Sequence, residues 1–156
     1  HPRDLTAYIT LCLCHIKRRC NLFFLARQGQ SLLGDELGMY LDELAELARY
    51  AGLQTLIRCG QGGALDIRSA ALCYDFAFEA ISWALRENAS PLLGYLEPEG
   101  AHLVFRFLPG GDPGQWRFSE ELTTAAAALG GQIACKDLDD AVGICMTLPL
   151  GGESCG

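Results

Sequence analysis

Residues 68–89 read RSAALCYDFAFEAISWALRENA, and this stretch decides the fold class. It contains no proline or glycine, and apolar residues recur in it at helical spacing: Leu72, Phe76, Ala80, Trp83 and Ala84. The pattern predicts one long helix, which Ser90 and Pro91 end. Because strand-like segments flank it on both sides, we expect this helix to lie over a sheet.

The flanking segments predict six strands, two by two along the chain. Residues 53–59 and 64–67 are strands separated by a glycine-rich turn, 92–96 and 101–108 are strands joined by residues 97–100, and 133–136 and 142–148 form a last hairpin. Between the second and third pairs, a loop at 109–114 leads to a helix that Ser119 is expected to cap and that Gly130 and Gly131 end. The predicted order after Gly52 is therefore ββαββαββ.

The N-terminal part of the chain instead has the pattern of an antiparallel helical hairpin over residues 5–51. In its first helix an apolar stripe recurs at steps of four and three: Ile9, Leu13, Ile16, Cys20 and Phe23. The second helix, expected to start at Asp35 and end at Gly52, repeats that spacing at Leu37, Leu41, Leu44 and Ala48. Because two such helices cover only part of each other's stripes, we expect a homodimer through residues 5–51, paired as a four-helix bundle.

Composition and charge exclude several functional classes. The chain has 156 residues, a net charge of -7 at pH 7 and 50% hydrophobic residues. An acidic chain is not expected to bind nucleic acid, because phosphate binding relies on a basic surface. No apolar run approaches the ~20 residues of a membrane-spanning helix. We therefore expect a cytoplasmic protein, and the first residue, His1, indicates a fragment of a longer chain.

The eight cysteines are scattered along the chain and lie in apolar surroundings, which predicts buried free thiols rather than disulfides. A metal site built from Cys12, Cys14, His15 and Cys20 is disfavoured. Residues two apart on a helix point away from each other, and no Cys-x-x-Cys pair completes a tetrahedral set of ligands. We expect no metal site.

Two segments resemble the cytoplasmic core of sensor histidine kinases, in which a dimerisation and phosphotransfer hairpin precedes the ATP-binding domain shared with gyrase B and Hsp90. Residues 79–86, EAISWALR, are similar to the N box of that family, which usually reads E-A-L-x-N-A-L-R. Residues 120–150 resemble its closing pattern, R-x-x-A-L-G-G-x-L … V-x-L-P-L. The resemblance implies an α+β fold, with the helical hairpin at 1–52 and a two-layer α/β sandwich of the histidine-kinase ATPase type at 53–156.

The resemblance also places an ATP pocket, and this sequence departs from the family pattern there. Trp83 replaces the N-box Asn that binds magnesium, and an indole offers no oxygen ligand. Leu108 or Pro109 stands where an Asp accepts a hydrogen bond from adenine, and the segment 111–119 is too short for a long ATP lid. The equivalents of the pocket residues are Glu79, Trp83, Arg86, Leu108, Gly110 and Asp112. We expect a degenerate pocket without a cofactor, and ATP with magnesium only if the pocket works.

Two of the candidate residues have alternative interpretations. Glu79 matches the acidic N-box position and either acts on a water molecule or metal or is a solvated helix charge. His15 is the only histidine of the hairpin and is the candidate phosphate acceptor. Lys17 and Arg18 beside it either hold a phosphoryl group or belong, with Arg19, to a solvated basic face or to a contact with an acidic partner or membrane surface.

These features favour a signalling module that acts through dimerisation and partner binding. The resemblance implies that it is the cytoplasmic part of a membrane-anchored receptor of the sensor histidine kinase type. A response-regulator-like protein is the kind of partner that the resemblance implies. The alternatives are an active ATP-dependent histidine autokinase, a phosphotransferase that uses His15, and an unrelated α/β domain with a helical arm.

Overall fold

The computed structural model describes residues 2–113, 116–138 and 141–150. In these ranges the elements follow one another as α1 (Pro2–Arg27), β1 (Leu32–Leu33), α2 (Gly34–Tyr50), β2 (Thr55–Cys59), β3 (Ala64–Leu65), α3 (Ile67–Glu87), β4 (Leu92–Glu99), β5 (His102–Pro109), α4 (Glu120–Ala128), β6 (Gln132–Leu138) and β7 (Ala141–Pro149). The order after Gly52 is ββαββαββ, which confirms the prediction.

Five of the strands form one mixed sheet in the order β2-β4-β5-β7-β6. Strands β2 and β4 run parallel, because the chain crosses over between them through α3, whereas the other neighbours are antiparallel. Strand β2 does not pair with β3, which lies in the other sheet. Alternate side chains of the central strands are buried in one core, for example Leu96, Phe105 and Met146, which lie side by side in the register. The α+β class and the layer of helices on a sheet are therefore confirmed.

A second, two-stranded sheet joins the turn of the hairpin to the rest of the chain, and the sequence analysis did not predict it. Leu32 of β1 pairs with Leu65 of β3 in antiparallel register. Helix α2 then starts with Leu33 as its N-cap, so the prediction of Asp35 as the cap is wrong. Asp35 lies in the first turn, where a carboxylate is stabilised by the helix dipole. The predicted end at Gly52 is confirmed, since Gly52 has a φ of +100° that favours glycine.

The two helices of the hairpin bury different amounts of their apolar surface. The stripe of α2 lies in the core of its own chain: Leu37, Leu41, Leu44 and Ala48 are fully buried, and α2 packs against α1, α3 and β2. Helix α1 packs on α2 and α3 through another face, which includes the buried Leu11 and Leu22. The stripe predicted for α1 is exposed within one copy of the chain.

The hairpin packs directly on the part of the chain that follows it. The boundary at residue 52 and the homodimer stay predictions, and the ends of the two predicted domains, His1 and residues 151–156, lie outside the described residues.

All seven described cysteines are free thiols, as predicted, but their predicted burial is wrong for most of them. Cys73 and Cys145 are buried, whereas Cys20 and Cys135 are exposed. Cys155 lies outside the described residues. Across the described ranges, none of the helices combines the length and apolar character that a membrane crossing requires.

Candidate functional site

A stack of aromatic rings joins α3 to the irregular segment before α4. Trp83 of α3 is buried and stacks on Trp116, with ring centroids 4.4 Å apart and an interplanar angle of 25°. Trp116 in turn contacts Phe118 at 5.4 Å, and Phe118 lies 6.2 Å from Phe76 of α3. These rings occupy the space between the N-box-like helix and the segment that would form the short lid.

The stack leaves a polar atom of Trp83 without a partner. The indole Nε1 of Trp83 and the hydroxyl of Ser82 are buried and make no hydrogen bond with the described part of the chain. Leaving a buried donor unpaired destabilises a fold. The packing of the indole ring therefore has to offset the free-energy cost of its unpaired N–H group.

Glu79, one helical turn before Trp83, contacts the start of α4. Its two carboxylate oxygens accept hydrogen bonds from the backbone N–H and the hydroxyl of Ser119, each 2.7 Å long. The Ser119 hydroxyl also accepts a hydrogen bond from the Leu122 N–H, which confirms the predicted N-cap. A helix N-terminus attracts anions, and here the carboxylate of Glu79 takes that place. Glu79 is therefore hydrogen-bonded to the N-cap residue of α4, and its two predicted roles, action on a water molecule or metal and a solvated helix charge, stay predictions.

The end of β5 carries the remaining pocket equivalents. Leu108 is half-buried and lies opposite Leu93 in the register, and Asp112 is exposed in the loop that follows. Gly110 has a structural role, because a Cβ atom there would lie 2.2 Å from the carbonyl oxygen of Ser90. Gly114, the last residue of the predicted loop, lies outside the described residues.

His15, the candidate phosphate acceptor, faces α3 from the middle of α1. Its Nε2 atom lies 2.8 Å from Oδ1 of Asp75, and its ring stacks almost parallel on Phe78 with centroids 4.0 Å apart. Arg19 also reaches that carboxylate, at 3.0 Å. Phosphorylation at Nε2 would have to break the contact with Asp75. The contacts of His15 and Arg19 with Asp75 link α1 to α3.

The neighbouring basic residue Arg18 is also paired inside the chain. Arg18 donates hydrogen bonds of 2.9 Å and 3.2 Å to the carboxylate of Glu43 on α2, and its guanidinium lies over the ring of Tyr40. The Arg18 hydrogen bonds hold the pKa of Glu43 below its usual value. Burial, together with a hydrogen bond to Glu43, raises the pKa of the Cys14 thiol to about 11. Arg18 is thus a link between α1 and α2 rather than part of a solvated face.

An open groove of about 1040 Å³ lies between α1 and α4, with α3 as its floor. It brings together three predicted site residues, His15, Glu79 and Arg86, whereas Trp83, Leu108, Gly110 and Asp112 do not line it. Arg86 is exposed there. Within the described ranges, no group of three or more histidine, cysteine, aspartate or glutamate side chains could hold a metal ion.

Sequence reasoning missed three residues that shape this region: Trp116, Phe118 and Asp75. Trp116 and Phe118 stand two apart in a polar, glycine- and proline-rich loop, and two large aromatic residues in such a loop indicate that it packs on the core. Asp75 gave no such signal, because its contact with His15 spans 60 positions of sequence.

Comparisons with known proteins identify the fold. No family model and no curated protein matches the sequence. The structure resembles the blue-light activated histidine kinase EL346 of Erythrobacter litoralis, with a TM-score of 0.61 and 13% identity over 87% of this chain. It resembles the histidine kinase domain of the same protein with a TM-score of 0.52 and 13% identity over 73% of this chain. This chain spans 54% of the EL346 structure and 61% of its kinase domain structure.

A third similar structure is the catalytic domain of the histidine kinase ThkA, with a TM-score of 0.52 and 12% identity. In that case the match covers 78% of this chain and 95% of the ThkA domain. At such low identity the likeness establishes the architecture and not the activity. The chain therefore has a histidine-kinase-type fold, a helical segment followed by an ATPase-type α/β layer.

Proposed function

We propose that this chain is a signalling module of the sensor-kinase type that does not turn over ATP and acts through dimerisation and binding of a protein partner. The observation that carries the proposal is the stack of Trp83 on Trp116. The family resemblance implies that magnesium and phosphates are held at the Trp83 position, and two packed indole rings there support the loss of that site. Indole rings offer no oxygen ligand to a hard cation.

The contacts of Glu79 support the same proposal. The N-terminus of a helix is a common phosphate site, and at α4 the carboxylate of Glu79 already accepts the Ser119 N–H and hydroxyl. A nucleotide phosphate would have to displace a negatively charged group that the chain itself supplies. The side chain of Leu108 has no atom that could accept a hydrogen bond from adenine.

The contacts of His15 favour a structural role over phosphotransfer. Its Nε2 atom is engaged by Asp75 and its ring is covered on one side by Phe78. The residues directly after His15 are Ile16 and Lys17, so no adjacent acid or amide is there to assist proton transfer. We propose a response-regulator-like protein as partner, recognised by contact rather than by phosphate transfer.

The test is calorimetric titration of the purified chain with a non-hydrolysable ATP analogue and magnesium, with thermal unfolding in parallel. We expect no saturable heat and no rise in Tm. A working site would be easy to detect, since a ligand at about 100 times its Kd stabilises the folded state by about 2.7 kcal/mol. Saturable binding of one nucleotide per chain would overturn the proposal.

A second arm of the test separates the two enzymatic alternatives. The chain is incubated with γ-labelled ATP and magnesium, beside a His15→Gln variant as the matched control. Label on the wild type and not on His15→Gln would identify an autokinase. Label that reaches His15 only from a phosphorylated regulator protein would identify a phosphotransferase. Either result would overturn the proposal of a module without phosphate chemistry.

A further inference from the structure

The groove between α1 and α4 is apolar on both of its walls. The α1 wall carries large side chains that each expose more than half of their surface: Ile16, Phe23 and Phe24. The opposite wall is formed by Phe118, Leu122 and Ala125. A second hollow of about 360 Å³ continues the groove, and Phe23, Leu72 and Ala125 line both. Exposed apolar surface that is gathered in one concave site indicates a ligand.

The groove also carries positive charge that the chain itself does not neutralise. Arg86 and Arg117 are exposed in it, and neither has an acceptor among the described residues. Two of the lining carboxylates are already engaged, Asp75 by two side chains of α1 and Glu79 by the N-cap residue of α4. Two guanidinium groups therefore stand against one carboxylate, that of Glu121, and the unpaired charge of the groove is positive.

The positive charge and the second hollow lie toward opposite ends of the groove. Arg86 is in the last turn of α3, and Arg117 precedes α4. The hollow is instead lined by the first turns of α3 and by the last residues of α4. From Leu72 to Arg86, at about 1.5 Å per residue, α3 runs about 21 Å. The site is thus long and apolar, with two arginines at one end.

We infer that this groove binds a long-chain carboxylate, with its head group at Arg86 and Arg117 and its chain along the apolar walls toward Leu72. Guanidinium groups bind carboxylates through paired, charge-assisted hydrogen bonds. A lipid acyl chain spans half of a hydrocarbon core about 30 Å thick, so it is about 15 Å long and fits the floor of the groove together with its head group. The inference goes beyond the proposed function, because it requires neither dimerisation nor a protein partner.

The dimensions favour a single chain over a helix of a partner protein. A helix about 10 Å across and about 21 Å long occupies roughly 1,600 Å³. The groove holds about 1040 Å³, which is close to the upper end of small-molecule sites. A nucleotide is disfavoured, since the carboxylate of Glu79 occupies the N-terminus of α4, where a phosphate would bind.

The experiment is calorimetric titration of the whole chain with dodecanoate, kept below the concentration at which it forms micelles. We expect saturable binding of one dodecanoate per chain. Each methylene group contributes about fourfold to the Kd, so octanoate should bind about 200-fold more weakly. Dodecanol keeps the chain and lacks the charge, and it should bind about 10-fold more weakly. Absence of saturable binding, or a Kd that does not depend on chain length, would overturn the inference.

Matched substitutions test where the ligand lies. Arg86→Gln and Arg117→Gln should each raise the Kd for dodecanoate about 10-fold, whereas Arg58→Gln, at an exposed arginine of β2, should leave it unchanged. Ala125→Trp fills the groove and should raise the Kd about 10-fold or more. Ala127→Trp adds the same ring at an exposed alanine of α4 that does not line the groove, and should not change the Kd. Equal effects within either set would contradict the assignment.

The exposed thiol of Cys20 lines the groove and reports its occupancy without any substitution. Dodecanoate at about ten times its Kd should slow alkylation of Cys20 about tenfold. Alkylation of Cys135, an exposed thiol on β6, should not change. Equal protection of both thiols would overturn the inference. Faster labelling of the buried Cys73 would do so as well, because it would mean that dodecanoate unfolds the chain as a detergent does.

A membrane surface offers the same chemistry from another source, and vesicles of phosphatidylglycerol test for it. A chain that cosediments with these vesicles and does not bind monomeric dodecanoate would contact a membrane through its apolar surface, and the inference would be wrong. Binding of dodecanoate that Arg86→Gln and Arg117→Gln weaken supports the groove as a site for a single chain.

Discussion

The indole of Trp83 gives the sharpest test of the packing between α3 and the segment before α4. Trp83→Ala removes a buried ring that stacks on Trp116, and truncating a buried tryptophan costs about 3–5 kcal/mol. Trp83→Phe keeps an aromatic ring and removes the buried N–H, which has no partner in the described part of the chain. Removal of an unpaired buried donor stabilises the fold by about 1–3 kcal/mol, which offsets the packing that is lost with the smaller ring. We expect Trp83→Phe to change the free energy of unfolding by less than about 1 kcal/mol.

The assay is equilibrium unfolding in urea followed by far-UV circular dichroism, because the substitution removes a fluorescent reporter. Tyr50→Ala, at an exposed aromatic residue, is the control and should stay within about 0.5 kcal/mol of the wild type. The m-value should not change, since each variant unfolds the same surface. A loss of about 3 kcal/mol or more in Trp83→Phe would mean that the indole N–H is satisfied in the folded chain. The indole would then have a hydrogen-bond partner, contrary to the prediction.

Three other predictions concern the links between helices and the thiols. The neighbouring Arg18 guanidinium lowers the pKa of Glu43. The Glu43 carboxylate therefore stabilises the fold above its unfolded pKa of about 4.3, and this contribution is lost as the pH falls through the lower folded pKa. When the free energy of unfolding is measured against pH, Glu43→Gln should therefore lose less stability below that pH than the wild type does. An equal loss in the two proteins would contradict the ion pair. Asp75→Asn weakens two contacts to α1 and should lower the free energy of unfolding by about 1–2 kcal/mol. Glu46→Gln, at an exposed position of α2, should not lower it. Equal effects of the two substitutions would exclude Asp75 as a link between α1 and α3. Alkylation at neutral pH should label the exposed Cys20 before Cys73, because burial raises the pKa of Cys73, and peptide mass spectrometry should give that order.

Local pattern predicted most of the secondary structure. The long helix over residues 67–87, the strand order after Gly52 and the cap at Ser119 follow from apolar periodicity, glycine and proline, which act within a few residues. Strand β1 was missed because two residues carry no period, and its pairing partners, Ala64 and Leu65, are distant in sequence. Trp83 was identified as the residue that departs from the family pattern, but its partner Trp116 was not, since stacking between them is a tertiary contact.

The pattern of residues was enough to predict the class of the fold, the order of its elements and an apolar stripe on each of the hairpin helices. The pattern could not show which stripe faces inward, because both stripes follow the same four-three spacing. Periodicity identifies the apolar face of a helix but not the element that packs on it. The tertiary structure decided this by packing α2 between α1, α3 and β2, which buries its stripe and leaves that of α1 exposed. It also decided that His15 contacts Asp75 and that Glu79 contacts Ser119, because contacts between distant segments depend on how the layers stack.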